Sequence, residues 1–170
     1  MILNNSINAG NFIYCMAYFG PNETNTYYND GHGHYHQYIY IVEGRGSGTI
    51  TATPNGEVLR YEDGDSQGQL VDLSPTRGMY HTTKTQDIGL TTMMFNPVPA
   101  DRVLDVEIVK GPIIKTVTAD EKRITVVCIT GPINANNKTL ASLQHAKIFP
   151  GKTAELNLPE NTVCALVTDK

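Results

Sequence analysis

The chain is poor in the features that mark a disulfide scaffold, a nucleic-acid binder or a membrane helix. Cysteine is scarce: Cys15, Cys128 and Cys164 are odd in number, far apart and without C-x-x-C spacing, which excludes a disulfide framework. "FIYCMAYFG" and "NTVCALVT" embed their cysteines in apolar sequence, so buried free thiols in strands are expected, in keeping with a reducing compartment. Positive charge is also scarce, with 13 Lys and Arg against 17 Asp and Glu and a net charge of -4. The basic residues form no run, which argues against nucleic acid as a partner. No apolar stretch approaches the roughly 20 residues of a membrane-spanning helix. "MILNNSINAGNF" lacks a charged segment followed by an apolar one, so a soluble, unprocessed, cytoplasmic protein without a membrane partner is the expectation. Helical periodicity is nearly missing, and its best candidates, "PADRVLD" and "NNKTLASLQ", are short.

What the sequence does contain is strand signal. "NFIYCMAYF", "HQYIYIVEG", "GSGTITAT", "GEVLRYEDG", "GQLVDLSP", "IGLTTMMFNP", "LDVEIVKGP", "RITVVCIT" and "TVCALVT" are short runs rich in Val, Ile, Thr and aromatics. Gly, Pro, Asn and Asp punctuate them at short intervals, the pattern of an antiparallel all-β sandwich or barrel. Two prolines in "NPVPADR" suggest a boundary, giving a β-barrel over 1–98 and a β-rich extension over 99–170. In the extension, "LQHAKIFPGKTAELNLPENTVCALVTDK" reads as the rise, turn and return of a β-hairpin pair. The extension is expected as a degenerate second half packed on the first, or as added strands packing on the first barrel or on a neighbouring subunit.

Chemistry concentrates in "GHGHYHQYIYIVEGRGSG", residues 31–48. Alternate residues of a strand share a face, so His32, His34 and His36 can project together. Two imidazoles on one strand can share an ion, and a third ligand from another strand closes a facial triad with positions open to substrate or water. "SPTRGMYH" offers His81, behind Pro75 and Gly78. The expected metal set is His34, His36 and His81, with His32 as a fourth ligand nearer the mouth; His32 with His34 satisfies the same spacing. Tyr38 and Tyr40 continue that face and are candidate catalytic residues, hydrogen-bonding a bound anion or a metal-bound water. The plainer reading of the same residues is a solvated histidine loop and a structural His81. "GRGSG" is no phosphate loop, because no helix follows it. Arg45 and Arg77 lie in turn sequence, and His145, beside Lys147, reads as a surface or edge-strand residue.

These residues resemble the two motifs of the cupin superfamily. The first motif is an H-x-H pair, then a Glu, then a strand ending in Gly, here "HGHYHQYIYIVEG". The second is a Pro, a Gly and a following His, here "PTRGMYH", with one residue more than usual between Pro75 and Gly78. The resemblance covers roughly residues 28–96 and implies a cupin-type antiparallel β-barrel, or jelly roll, with additional C-terminal strands. The glutamate of the first motif is missing: Gln37 and Tyr38 stand where it is sought, and Glu43, beside Gly44, is expected to face solvent. A three-histidine site for Fe, Zn, Ni or Mn remains, as in cupin oxygenases that lack the glutamate.

The resemblance thus implies a metal-dependent enzyme, an oxygenase or isomerase acting on a small polar molecule. The alternative is a non-catalytic cupin used for assembly or ligand binding. A homodimer or other homo-oligomer is expected under either reading, because edge strands tend to be covered.

Overall fold

A computed structural model describes residues 2–28, 38–52, 58–61, 68, 70–72, 79–99 and 102–170. Every regular element among them is a β-strand and every pairing is antiparallel. The all-β expectation holds. The chain divides into two compact units, Met1–Arg102 and Val103–Lys170.

The first unit contains β1 (Ile2–Leu3), β2 (Ile7–Asn8), β3 (Phe12–Phe19), β4 (Thr24–Tyr28), β5 (Tyr38–Ala52), β6 (Val58–Tyr61), β7 (Leu70–Asp72) and β8 (Met79–Pro97). They form one sheet in the order β1-β3-β8-β5-β6, with β2 on β3, β4 on β8 and β7 on β5. Its spine is the long pair β5 and β8, which runs from Tyr38 opposite Phe95 to Ala52 opposite Met79. Register shifts between Ile41 and Glu43 and between Gly44 and Gly46 interrupt it. Here the structure corrects the sequence reading, which ended a strand at Gly44 and began another at "GSGTITAT". The first shift places an extra residue on β5 and the second places extra residues on β8, between Thr85 and Leu90; such bulges bend and twist a strand without ending its ladder.

Two glycines make that bend possible. Gly44 and Gly89 have φ of 96° and 71°, in the region L side chains rarely enter. A Cβ on Gly44 would lie 2.1 Å from the Gly89 carbonyl oxygen, and one on Gly89 would lie 2.6 Å from that of Phe19. The backbones therefore approach where no side chain fits.

Beyond the bend, both faces of the sheet are buried. One carries Cys15, Ala17, Phe19, Ile39, Ile41, Leu90 and Met94 as a single apolar cluster. The other follows from register, since residues opposite each other in an antiparallel pair share a face. Tyr14 and Tyr38 both lie opposite Phe95, and Tyr40 lies opposite Met93. All five side chains are buried.

The second unit contains β9 (Leu104–Lys110), β10 (Ile113–Ala119), β11 (Ile124–Thr130), β12 (Ile133–Ala135), β13 (Lys138–Leu140), β14 (His145–Ile148), β15 (Lys152–Leu158) and β16 (Val163–Asp169). Two four-stranded sheets result, ordered β10-β15-β12-β13 and β14-β11-β16-β9. Their facing residues make one core, with Val126, Cys128 and Leu166 from one sheet and Val117, Leu156 and Leu158 from the other.

Two local expectations fail here. "NNKTLASLQ" is no helix: Asn136, at φ 52°, turns β12 into β13. Its Oδ1 accepts the Glu155 N–H at 2.8 Å, and its own N–H donates to the Glu155 carbonyl at 2.7 Å. Asn tolerates the left-handed conformation and supplies its own backbone bond, an advantage over helix at that position. β14 and β15 likewise form no hairpin, because β14 pairs with β11 and β15 with β10 and β12. Gly151, at φ 74° with its N–H on the Ala119 carbonyl, carries the chain from one sheet to the other.

Candidate functional site

Of the predicted ligands, His81 alone lies among the described residues, in the part of β8 before Gly89. His81 is the third residue of β8, with Tyr27 of β4 and Ile50 of β5 as its Cα partners on either side. It therefore occupies an inner strand, held by ladders on both edges. β4 ends at Tyr28, opposite Tyr80. His32, His34 and His36 belong to the link between β4 and β5, and they lie outside the described residues, as does Arg77. Among the described residues no three His, Cys, Asp or Glu side chains converge as a metal-holding group.

Tyr38 and Tyr40 open β5 and share a face, as the alternation requires. Only 3% and 2% of their surfaces are exposed. Desolvation by burial raises the Tyr40 hydroxyl above its ordinary value, so at neutral pH it is protonated and can donate a hydrogen bond. Glu43 is exposed, as anticipated, although it lies within β5 at the bulge and not in a terminal turn.

The three cysteines are free and buried, in β3, β11 and β16. Burial pushes the thiol of Cys128 up to about 11 and that of Cys164 up to about 12. They are therefore unreactive core side chains at neutral pH.

The sequence reading missed a cleft in the second unit. Its volume is ≈ 780 Å³, and its lining draws His145 and Lys147 from β14 and Lys138 from β13. His145 does lie on an edge strand, as expected. The alternating "HAKI" hinted at a two-faced strand, but the approach of Lys138 from the other sheet left no trace at the sequence level.

Comparison with known proteins gives fold without sequence kinship. No family model matches the sequence, and no curated protein is similar to it. Solved structures do match. YhaK from Escherichia coli superimposes with a TM-score of 0.67 at 12% identity, over 94% of this chain and 86% of that one. A cupin 2 conserved barrel domain protein from Leptotrichia buccalis matches with a TM-score of 0.53 at 12% identity, over 99% and 88%. The fold is that of the cupins. A third cupin neighbour is oxalate decarboxylase from Bacillus subtilis, a protein with Mn(II) centres, at a TM-score of 0.63 and 6% identity over 95% and 69%. Identity this low establishes the cupin architecture alone, so the chemistry of this chain must be argued from its own residues.

Among the described residues no helix is long and apolar enough to cross a membrane.

Proposed function

We propose that this cupin holds a divalent metal through His34, His81 and a neighbour of His34, and acts with it on a small polar molecule as an oxygenase or isomerase. The supporting observation is the pairing of β4 with β8. Tyr27 lies opposite His81 and Tyr28 opposite Tyr80, and His32 follows Tyr28 by four residues, a span of at most about 14 Å. The H-x-H segment thus starts within reach of His81. Imidazoles suit iron, zinc and nickel, and manganese is the metal of one cupin neighbour.

A divalent ion on neutral imidazoles keeps most of its charge and supplies Lewis acidity, or oxygen activation when it is iron. The chain's own part is to orient the substrate. Tyr40, kept protonated by burial, donates to a substrate oxygen, and Tyr38 beside it narrows the approach. The second unit, with its own core between two antiparallel sheets, serves in this reading as a degenerate second cupin half.

The test is metal content by elemental mass spectrometry on protein purified without chelators. Near-stoichiometric metal is expected, lost in His34→Ala and in His81→Ala with the far-ultraviolet circular dichroism unchanged. Metal retained in both variants would refute the site. His32→Ala compared with His36→Ala identifies the partner of His34.

A non-catalytic, assembling cupin is the second reading. It is favoured by β10, the edge of its sheet, which exposes 42% of Ile113 and 65% of Ile114, apolar side chains suited to a second copy. Light scattering tests it, and a strict monomer counts against it.

A further inference from the structure

The cleft in the second unit has the anatomy of a small-molecule site, and none of its residues takes part in the proposed metal centre. At ≈ 780 Å³ it lies within the range of about 300–1,000 Å³ usual for ligand pockets. Its floor is apolar, made by Val126, Ala135, Ala146, Ile148 and Ala154, all part of the core between the two sheets or packed against it. Its polar lining is basic or amide: Lys138 comes from one sheet, His145 and Lys147 from the other, with Asn136 and Asn137 at the β12–β13 turn. Among the described residues no aspartate or glutamate lines it. In a chain of net charge -4 with only 13 lysines and arginines, a lining that includes two lysines and a histidine is a local reversal of sign. Phe149, 59% exposed, stands at the rim where the chain crosses between sheets.

We propose that this cleft binds a small organic anion, a carboxylate carried on an aromatic or branched apolar body. The apolar floor takes the body, and Lys138, Lys147 and His145 take the carboxylate. Each group contributes where the others cannot. A bare inorganic anion would leave the floor wet, and a neutral molecule would supply no counter-charge to the two lysines of the lining. The electrostatics agree with the geometry. His145 is held below its ordinary value by burial first, then by the charges of Lys147 and Lys138. A bound carboxylate offsets those two charges and favours the imidazolium, which adds a third cation to the site.

Titration of the full chain with sodium benzoate, followed by two-dimensional nuclear magnetic resonance, tests this. Saturable shifts confined to residues around β11–β15 are expected, with a Kd of about 1 mM for a ligand of this size. Benzamide, equal in shape and uncharged, should bind at least about tenfold more weakly, as should benzoate to the exposed-site double variant Lys138→Gln/Lys147→Gln. Inorganic phosphate should bind more weakly than benzoate. Equal binding of benzoate and benzamide, an unchanged affinity in the double variant, phosphate binding as tightly as benzoate, or no saturation would each overturn the proposal. Metal content should be the same in parent and double variant, so this test and that of the metal centre fail independently.

Discussion

Replacing Gly44 by Ala asks whether the bend in the β5–β8 ladder is as constrained as its geometry implies. Two costs add. The first is conformational: φ of 96° puts an L residue in the left-handed half of the map, at about 1–2 kcal/mol. The second is steric, because the new methyl would stand 2.1 Å from the Gly89 carbonyl oxygen and 2.9 Å from its carbon. Relief requires two paired backbones to separate, with overpacking costs of about 1–3 kcal/mol and the weakening of at least one ladder hydrogen bond at about 1 kcal/mol. The sum is about 3–6 kcal/mol, or a fall in Tm of roughly 10–20 °C for a chain of this size. Gly151→Ala is the control. At φ 74° it carries the conformational cost, but nothing lies within 4 Å of its added Cβ, so about 1 kcal/mol is expected after the compensating restriction of the unfolded chain. The two variants can be read separately in one chain. All nine tyrosines lie between Tyr14 and Tyr80 and there is no tryptophan, so tyrosine fluorescence reports the first unit alone. Urea unfolding followed by tyrosine emission should show the large loss for Gly44→Ala. A loss no greater than that of Gly151→Ala, followed by circular dichroism, would refute the steric argument.

Two further outcomes follow from the second unit. Leu156→Ala removes a fully buried side chain from the core between the two sheets and should cost about 2–5 kcal/mol in urea unfolding followed by circular dichroism; a cost below about 1 kcal/mol would mean that the two sheets do not pack as described. His145, depressed by burial, Lys147 and Lys138, binds a proton less readily folded than unfolded, so stability falls as pH drops through the ordinary histidine value of 6.5 and levels below the depressed one. The parent should therefore lose more stability than His145→Gln between about pH 7.5 and 5, and parallel profiles would show that the imidazole is not so placed.

Much of the fold was legible because its period is short. Alternation in "FIYCMAYF" or "VEIVK" survives any tertiary arrangement, so strand character and an all-β class could be read directly. What could not be read depends on partners distant in sequence. The β5 ladder continues past Gly44 only because β8 is there to be paired with, and the bulge is invisible without it. β14 and β15 look like hairpin arms because a sheet change at Gly151 and a hairpin turn use the same residues. At the candidate site, the shared face of Tyr38 and Tyr40 was readable from alternation, as was the exposure of Glu43 from its place beside Gly44. The cleft was not, since Lys138 and Lys147 are brought to the same opening by different sheets.

The strand that matters most to the proposed metal centre carries none of its candidate ligands. "TNTYY" has no apolar alternation and no turn signal of its own, and it forms β4 because the edge of β8 accepts it. Its pairing has a geometric consequence. Tyr28 is fixed opposite Tyr80 and Tyr38 opposite Phe95, while Tyr80 and Phe95 would stand about 50 Å apart on a straight strand. The link from Tyr28 to Tyr38 can span only about 35 Å when fully extended. A straight β8 is therefore incompatible with both pairings, and the bend at Gly44 and Gly89 is what reconciles them. The same bend brings the two halves of β8 close enough for one short histidine-bearing link to join them, beginning beside His81. Loss of metal in Gly44→Ala, under conditions where the variant remains folded, is thus the expected mark of a metal centre whose ligands are brought together by the curvature of the sheet.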